Sequence, residues 1–152
     1  MVRFTFLGAW AVCVLGACGD NQDPQGSVDL WTELQTLDYR SFERAPGYEV
    51  RRESESPHSD FVDIYINDVV SQALTEGSAL TEWPVGSLIV KDGFTDDGEL
   101  ELVAVMEKRE DGWYWAEYFD FDPPEATYSG QPAVCTGCHS SGSDFVRAFD
   151  LP

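Results

Sequence analysis

Glu99-Leu100-Glu101-Leu102-Val103-Ala104-Val105-Met106-Glu107-Lys108-Arg109 alternates in side-chain character along its length. Leu100, Leu102, Ala104 and Met106 fall on one side of an extended chain. Val103 and Val105 fall on the other, bracketed by Glu99, Glu101 and Glu107. Successive side chains of a strand point to opposite faces, so this period of two predicts a strand over 99–109. Asp111-Gly112 follows, a pair suited to the tight turn of a hairpin. The aromatic run 113–119 then returns as the next strand. Upstream, 87–92 reads as the strand before this pair, with Asp97-Gly98 as the turn between them.

Working outward, residues 61–66 alternate and are rich in β-branched and aromatic side chains, a candidate fourth strand. Ser27 can cap a helix that puts Val28, Leu30, Trp31, Leu34 and Leu37 on one broad face. Asn67 can cap a short helix through Val69, Val70, Ala73 and Leu74 that ends at Gly77. Residues 39–59 are polar and carry Pro46, Gly47 and Pro57, so they read as loop. Pro123, Pro124, Gly130 and Pro132 break the chain, leaving Cys135 to begin a short helical turn, and Ser143 can cap a last helix over 144–149. The predicted class is α+β: a mainly antiparallel meander of three to five strands flanked by a few short helices.

The beginning of the chain predicts export. Met1-Val2-Arg3 is a short positive segment, residues 4–14 are almost wholly apolar, and Leu15-Gly16-Ala17-Cys18 offers a small-residue cleavage site ending in cysteine. The apolar run is too short to remain as a membrane span. It resembles a bacterial lipoprotein signal, which would leave Cys18 as the lipid-bearing first residue on the periplasmic side of a membrane. The expected division is a signal over 1–17, a tether over 18–26 and a single domain over 27–152. Membrane attachment would run through that lipid alone.

Charge narrows the partners. The chain has 28 acidic against 9 basic residues and a net charge of −19. Loss of Arg3 with the leader makes this more negative still. Such a chain is repelled by nucleic acid and by anionic lipid headgroups, and it suits a basic redox partner.

Cys135-Thr136-Gly137-Cys138-His139 carries the chemistry. Two thiols at this spacing can take the vinyl groups of one porphyrin, and the following imidazole can become the proximal iron ligand. Two other chemistries use the same residues: a redox dithiol, or a zinc site completed by His139 and His58. A single covalently bound haem c is the preferred reading. It consumes Cys135 and Cys138, the lipid consumes Cys18, and Cys13 leaves with the signal, which accounts for all four cysteines.

From about residue 60 to 150 the chain resembles the cytochrome P460 and cytochrome c′-beta family. The matching pieces are Asp63-Ile-Tyr-Ile-Asn67, Trp83-Pro-Val-Gly-Ser-Leu-Ile-Val-Lys91, Met106-Glu-Lys108, Trp113-Tyr-Trp115, and the haem motif followed by Asp144-Phe-Val. The resemblance implies a small antiparallel β domain, often a homodimer, holding one five-coordinate haem. It implies that Lys91 matches a lysine that P460 proteins bond covalently to the porphyrin edge. It further implies oxidation of hydroxylamine with electrons passing to a partner cytochrome, or binding of nitric oxide or carbon monoxide without turnover. Ala104 stands roughly where the hydroxylamine oxidisers carry a carboxylate, and Val62 about where they carry an arginine. These departures count against an efficient hydroxylamine oxidase; Glu117 is a candidate substitute proton acceptor, against the default reading of a glutamate on an exposed strand face. The rival reading is a six-coordinate electron-transfer cytochrome with Met106 or His58 as second axial ligand.

Overall fold

The structure, a computed structural model, describes residues 21–77 and 79–152. The signal over 1–17 and Cys18 lie outside the described residues. Seven antiparallel strands form one sheet: β1 (Glu43–Arg44), β2 (Arg52–Glu53), β3 (Phe61–Ile66), β4 (Leu88–Phe94), β5 (Leu100–Arg109), β6 (Gly112–Phe121) and β7 (Pro124–Gly130). The order is β1-β3-β4-β5-β6-β7, with β2 also pairing to β3. The helices are α1 (Pro24–Leu37), α2 (Asp68–Glu76) and α3 (Ala133–His139), with a 3₁₀ turn at Tyr39–Ser41. The α+β class and the meander therefore hold, and 61–66 joins it through β4 as its fourth strand. Among the described residues no helix is long and apolar enough to cross a membrane.

The register follows from the alternation. Lys91 pairs with Ala104, and Ala104 with Glu117. One face of the sheet buries Val90, Val103, Val105, Ala116 and Tyr118 beneath Leu30 and Leu34 of α1. Each leucine buried there contributes about 1.5–3 kcal/mol by leaving water. The Tyr118 hydroxyl donates to Ser27 O at 2.6 Å and the Tyr39 hydroxyl to Asp92 at 2.7 Å, so this layer buries its polar groups in pairs. The other face carries Ile64, Ile66, Ile89, Met106 and Trp115. It is covered by α2, α3 and the C-terminal segment.

Several expectations are corrected. Helix α1 begins at Pro24, and Asp23 rather than Ser27 caps it, accepting from Gly26 N at 3.0 Å. Proline at the first helical position has no N–H to lose, which favours the earlier start. The described part of the stretch read as tether, residues 21–26, is also held on the domain: Gln22 N donates to Ser129 O at 3.1 Å. Leu100 packs with Val103 and Val105 rather than with Met106. A register shift at Gly93/Phe94 flips the alternation there, as a bulge does. The loop over 39–59 contains the 3₁₀ turn, β1 and β2, two-residue strands too short to leave a periodic signal. Strand β7 occupies a stretch read as broken. Pro124 is its first residue and the strand lies at the sheet edge, where a missing N–H is tolerated. Helix α3 starts two residues before Cys135.

The helix expected over 144–149 does not form. Ser143 and Val146 instead exchange backbone bonds at 2.8 and 3.1 Å around a turn, with Asp144 and Phe145 at φ 44° and 67°. Tertiary partners impose this. Trp113 Nε1 donates to Asp144 O at 2.7 Å, Trp83 N to the Asp144 carboxylate at 2.8 Å, and Lys108 Nζ pairs with the same carboxylate at 2.9 Å. A phenylalanine at positive φ is sterically costly and persists only where its surroundings over-determine it.

Candidate functional site

Strand pairing builds one wall of the site. Ile64, Lys91, Ala104, Glu117 and Tyr128 lie in register across β3 to β7 and line a cavity of about 330 Å³. Ile89, Met106 and Trp115 form the next row of the same wall. Helix α3 supplies Cys135, Cys138 and His139 from the opposite side, and the loop before β3 supplies His58. The expected site residues Cys135, Cys138, His139, Lys91, Glu117, Met106 and His58 therefore all meet at one cavity. Val62 is buried on β3, and Ala104 presents no acid to the site.

His139 is held for one task. Its Nδ1 lies 2.9 Å from Phe145 O. A carbonyl can only accept, so Nδ1 carries the proton and Nε2 keeps its lone pair. Burial further disfavours the charged form and lowers the His139 pKa, which leaves a neutral imidazole with one nitrogen available to a metal. The turn at 143–146 thus performs the service that metal-ligating histidines usually draw from a neighbouring carbonyl or carboxylate. Nothing local in the sequence marks Phe145 for that role, and its signal was masked by the helix-like pattern of 144–149.

Lys91 and Lys108 are the two lysines of the chain, and their environments differ. Lys108 is buried in ion pairs with Asp144 and, at 3.4 Å, Glu82. Lys91 is half-buried in the cavity and, among the described residues, has no hydrogen-bond or ion-pair partner. Desolvation lowers its pKa to about 8, against the opposing pull of Glu117. A lysine so placed loses its proton more readily than an exposed one and becomes a nucleophile when it does.

Glu117 is not a solvent-facing strand residue either. Its side chain is 13% exposed and its Oε1 lies 3.1 Å from His58 Nδ1. His58 in turn lies with its ring centroid 6.3 Å from that of His139, the planes at 83°. Arg147, which the sequence gave no reason to single out, lines the cavity and donates to Cys138 Sγ at 3.1 Å. Met106 is buried between Ile89 and Trp115 and packs in the apolar cluster.

The donor set fits a haem better than it fits a bare metal ion. The two thiols and the imidazole stand on one short helix at the edge of a largely apolar slot, as a porphyrin held by two thioethers requires. Trp115 lines that slot, and its buried Nε1 has no acceptor among the described residues, a donor that a bound group with carboxylates could satisfy. Among the described residues no group of three or more His, Cys, Asp or Glu side chains is arranged to hold a metal ion, so the zinc alternative lacks its tetrahedral set.

A family model described as Cytochrome P460 matches residues 37–146, most of the chain. No curated protein matches it.

Proposed function

The chain belongs to the cytochrome P460 family, which implies haem c binding, and from that premise we propose an exported monohaem c-type cytochrome, lipid-anchored at Cys18, that binds or oxidises a small nitrogen species such as hydroxylamine or nitric oxide. The observation that carries this proposal is the convergence of Cys135, Cys138, His139 and Lys91 on one apolar cavity, with His139 Nδ1 already engaged by Phe145 O. When bound, haem would supply a redox-active iron.

The chain's own residues then have separable roles. Cys135 and Cys138 are the thioether tethers, and His139 Nε2 is the proximal ligand. Lys91, a partly neutral amine on the cavity wall, is the candidate for a further covalent bond to the porphyrin edge. Glu117 would accept a proton from a substrate held in the cavity, and an acceptor cytochrome would take the electrons if that substrate were hydroxylamine. The apolar wall of Ile64, Ile89 and Met106 favours small neutral ligands, nitric oxide and carbon monoxide included. A second copy of the chain completes the homodimer that the family resemblance implies.

The test is intact mass and absorption of protein expressed with haem-maturation machinery. One covalent haem is expected, together with binding of nitric oxide or hydroxylamine at the iron. A strongly red-shifted ferrous Soret band that vanishes in Lys91→Ala assigns the cross-link and the hydroxylamine branch. Without the red shift, the gas-binding branch is favoured. Holoprotein that refuses both ligands would be the six-coordinate electron carrier using Met106 or His58. Absence of covalent haem overturns the proposal.

A further inference from the structure

Lys108 has no part in the roles above. It lies outside the lining of the cavity, near the end of β5. Its side chain is 8% exposed, and its Nζ donates to both oxygens of the Asp144 carboxylate, at 2.9 and 3.2 Å. The second partner, Glu82 at 3.4 Å, is 72% exposed, and an ion pair in that much water contributes little. Asp144 is therefore the partner that answers the burial of Lys108, and it belongs to the turn that serves His139.

That turn is held at most of its polar groups. Trp83 Nε1 donates to Ser143 O at 3.3 Å, Trp113 Nε1 to Asp144 O at 2.7 Å, and Leu151 N to the Ser143 hydroxyl at 3.3 Å. Gly142 lets the chain fold back on itself, since a Cβ there would lie 2.3 Å from Val146 O. Local preference favours a helix over the same residues. In that helix the Phe145 carbonyl would accept from the N–H of Phe149, four positions on. In the structure it accepts from His139 Nδ1 at 2.9 Å instead. The imidazole has its acceptor only while the turn wins over the helix. Asp144 and Phe145, at φ 44° and 67°, oppose the turn, so its partners decide the competition. Among those partners Lys108 is the charged one. A charge-assisted bond is about twice as strong as a neutral one, and removing one member of a buried pair strands the other.

We propose that Lys108 is a positioning residue for the iron's proximal ligand, acting through the Asp144 carboxylate and the Phe145 carbonyl. The proposal rests on the haem reading above and adds to it a control of the bond between His139 and the metal. A ring N–H given to a carbonyl raises the basicity of the other ring nitrogen. Lys108 thereby sets the donor strength of His139 Nε2 from outside the cavity. The two lysines divide the work: Lys91 lines the slot for the cofactor, and Lys108 fixes the residue that holds its iron.

The measurement is the iron–histidine stretching band in the resonance Raman spectrum of ferrous holoprotein, read where needed after photolysis of bound carbon monoxide. Lys108→Met should move the band to lower frequency, because an imidazole without its Nδ1 acceptor is the weaker ligand. Asp144→Asn is the milder variant: asparagine tolerates positive φ and keeps an acceptor for Trp83 N. It should move the band in the same direction by less. Leu34→Ala destabilises the opposite face and should not move the band, which separates positioning of the ligand from loss of stability. An unmoved band in either Lys108→Met or Asp144→Asn overturns the proposal. So does a shift of equal size in Leu34→Ala. Intact mass is read on every sample. Wild-type protein without covalent haem refutes the haem reading, and the ¹⁵N shifts of the His139 ring in that protein then test Lys108. There the ratio of Nδ1–H to Nε2–H tautomer should fall about tenfold in Lys108→Met, the net worth of one hydrogen bond. An unchanged ratio overturns the role of Lys108 on its own.

Discussion

The two faces of the sheet are made by the same strands, with side chains one residue apart, and they are finished differently. On the face under α1, Leu34, Val90, Val103 and Tyr118 are fully buried. Asp92, the charged group there, is bonded to the Tyr39 hydroxyl and to Arg40 Nε at 2.6 Å. The other face holds a half-buried lysine without a partner among the described residues, an indole N–H without an acceptor, and a histidine–glutamate pair over a cavity. A sheet that satisfied both faces equally would be more stable and would have nowhere to put a cofactor. Of the two buried side-chain atoms without a partner among the described residues, Trp115 Nε1 lines the cavity and Ser87 Oγ does not, so the contrast rests on Trp115 and Lys91.

The sharpest way to break this contrast is to cut the sealed face. Leu34→Ala is expected to cost about 2–5 kcal/mol in urea unfolding and to leave the haem spectrum unchanged. A spectral change of the size produced by His139→Ala would mean that the two faces are coupled. Next in size is Lys91. Its folded pKa of about 8 lies below the value near 10.4 of an unfolded lysine. The unfolded chain therefore binds the extra proton between those values, and stability rises with pH across that window, by up to about 3 kcal/mol. The measurement is the difference between wild type and Lys91→Met in protein made without haem-maturation machinery. A difference that does not vary with pH would return Lys91 to the solvent. Holoprotein in which Lys91 is bonded to the porphyrin should also show no such titration.

Gly93→Ala should cost about 1–3 kcal/mol by overpacking, because the new methyl meets Ser59 and Leu102. Unchanged stability in urea unfolding would show that the loop above Gly93 gives way without cost. The smallest effect belongs to Met106→Leu, a volume-conserving change expected to cost less than about 1.5 kcal/mol with no change of spin state. Loss of a low-spin spectrum there would make Met106 a ligand and reverse its assignment as packing.

Much of this molecule follows from local chemistry that the sequence carries alone. Period-two alternation is a property of each strand by itself, so β3 to β6 and their two faces are legible, as are the Asp111-Gly112 turn and the Asn67 cap of α2, whose side chain accepts from Val70 N at 3.3 Å. The Cys135-to-His139 motif is equally local, because two thioethers and a neighbouring imidazole need only five residues. Where a register shift interrupts the alternation the signal fails. Glu117 pairs with Tyr128 while Tyr118 pairs with Ala126, leaving Thr127 extra, and β7 lost its period to that slip.

The site beyond the motif was decided in three dimensions. No spacing relates Lys91 to Glu117, yet strand register sets both flanking Ala104 on one face, and a slip of one residue would have turned either away. His58 reaches the cavity because Gly93 is bare, and His139 finds its carbonyl because Trp83, Lys108 and Trp113 hold residues 143–146 in a turn that local propensity opposes. A sequence specifies which groups are available and which way each strand segment faces. Their meeting depends on contacts between residues distant in sequence, whose geometry only the packed chain determines.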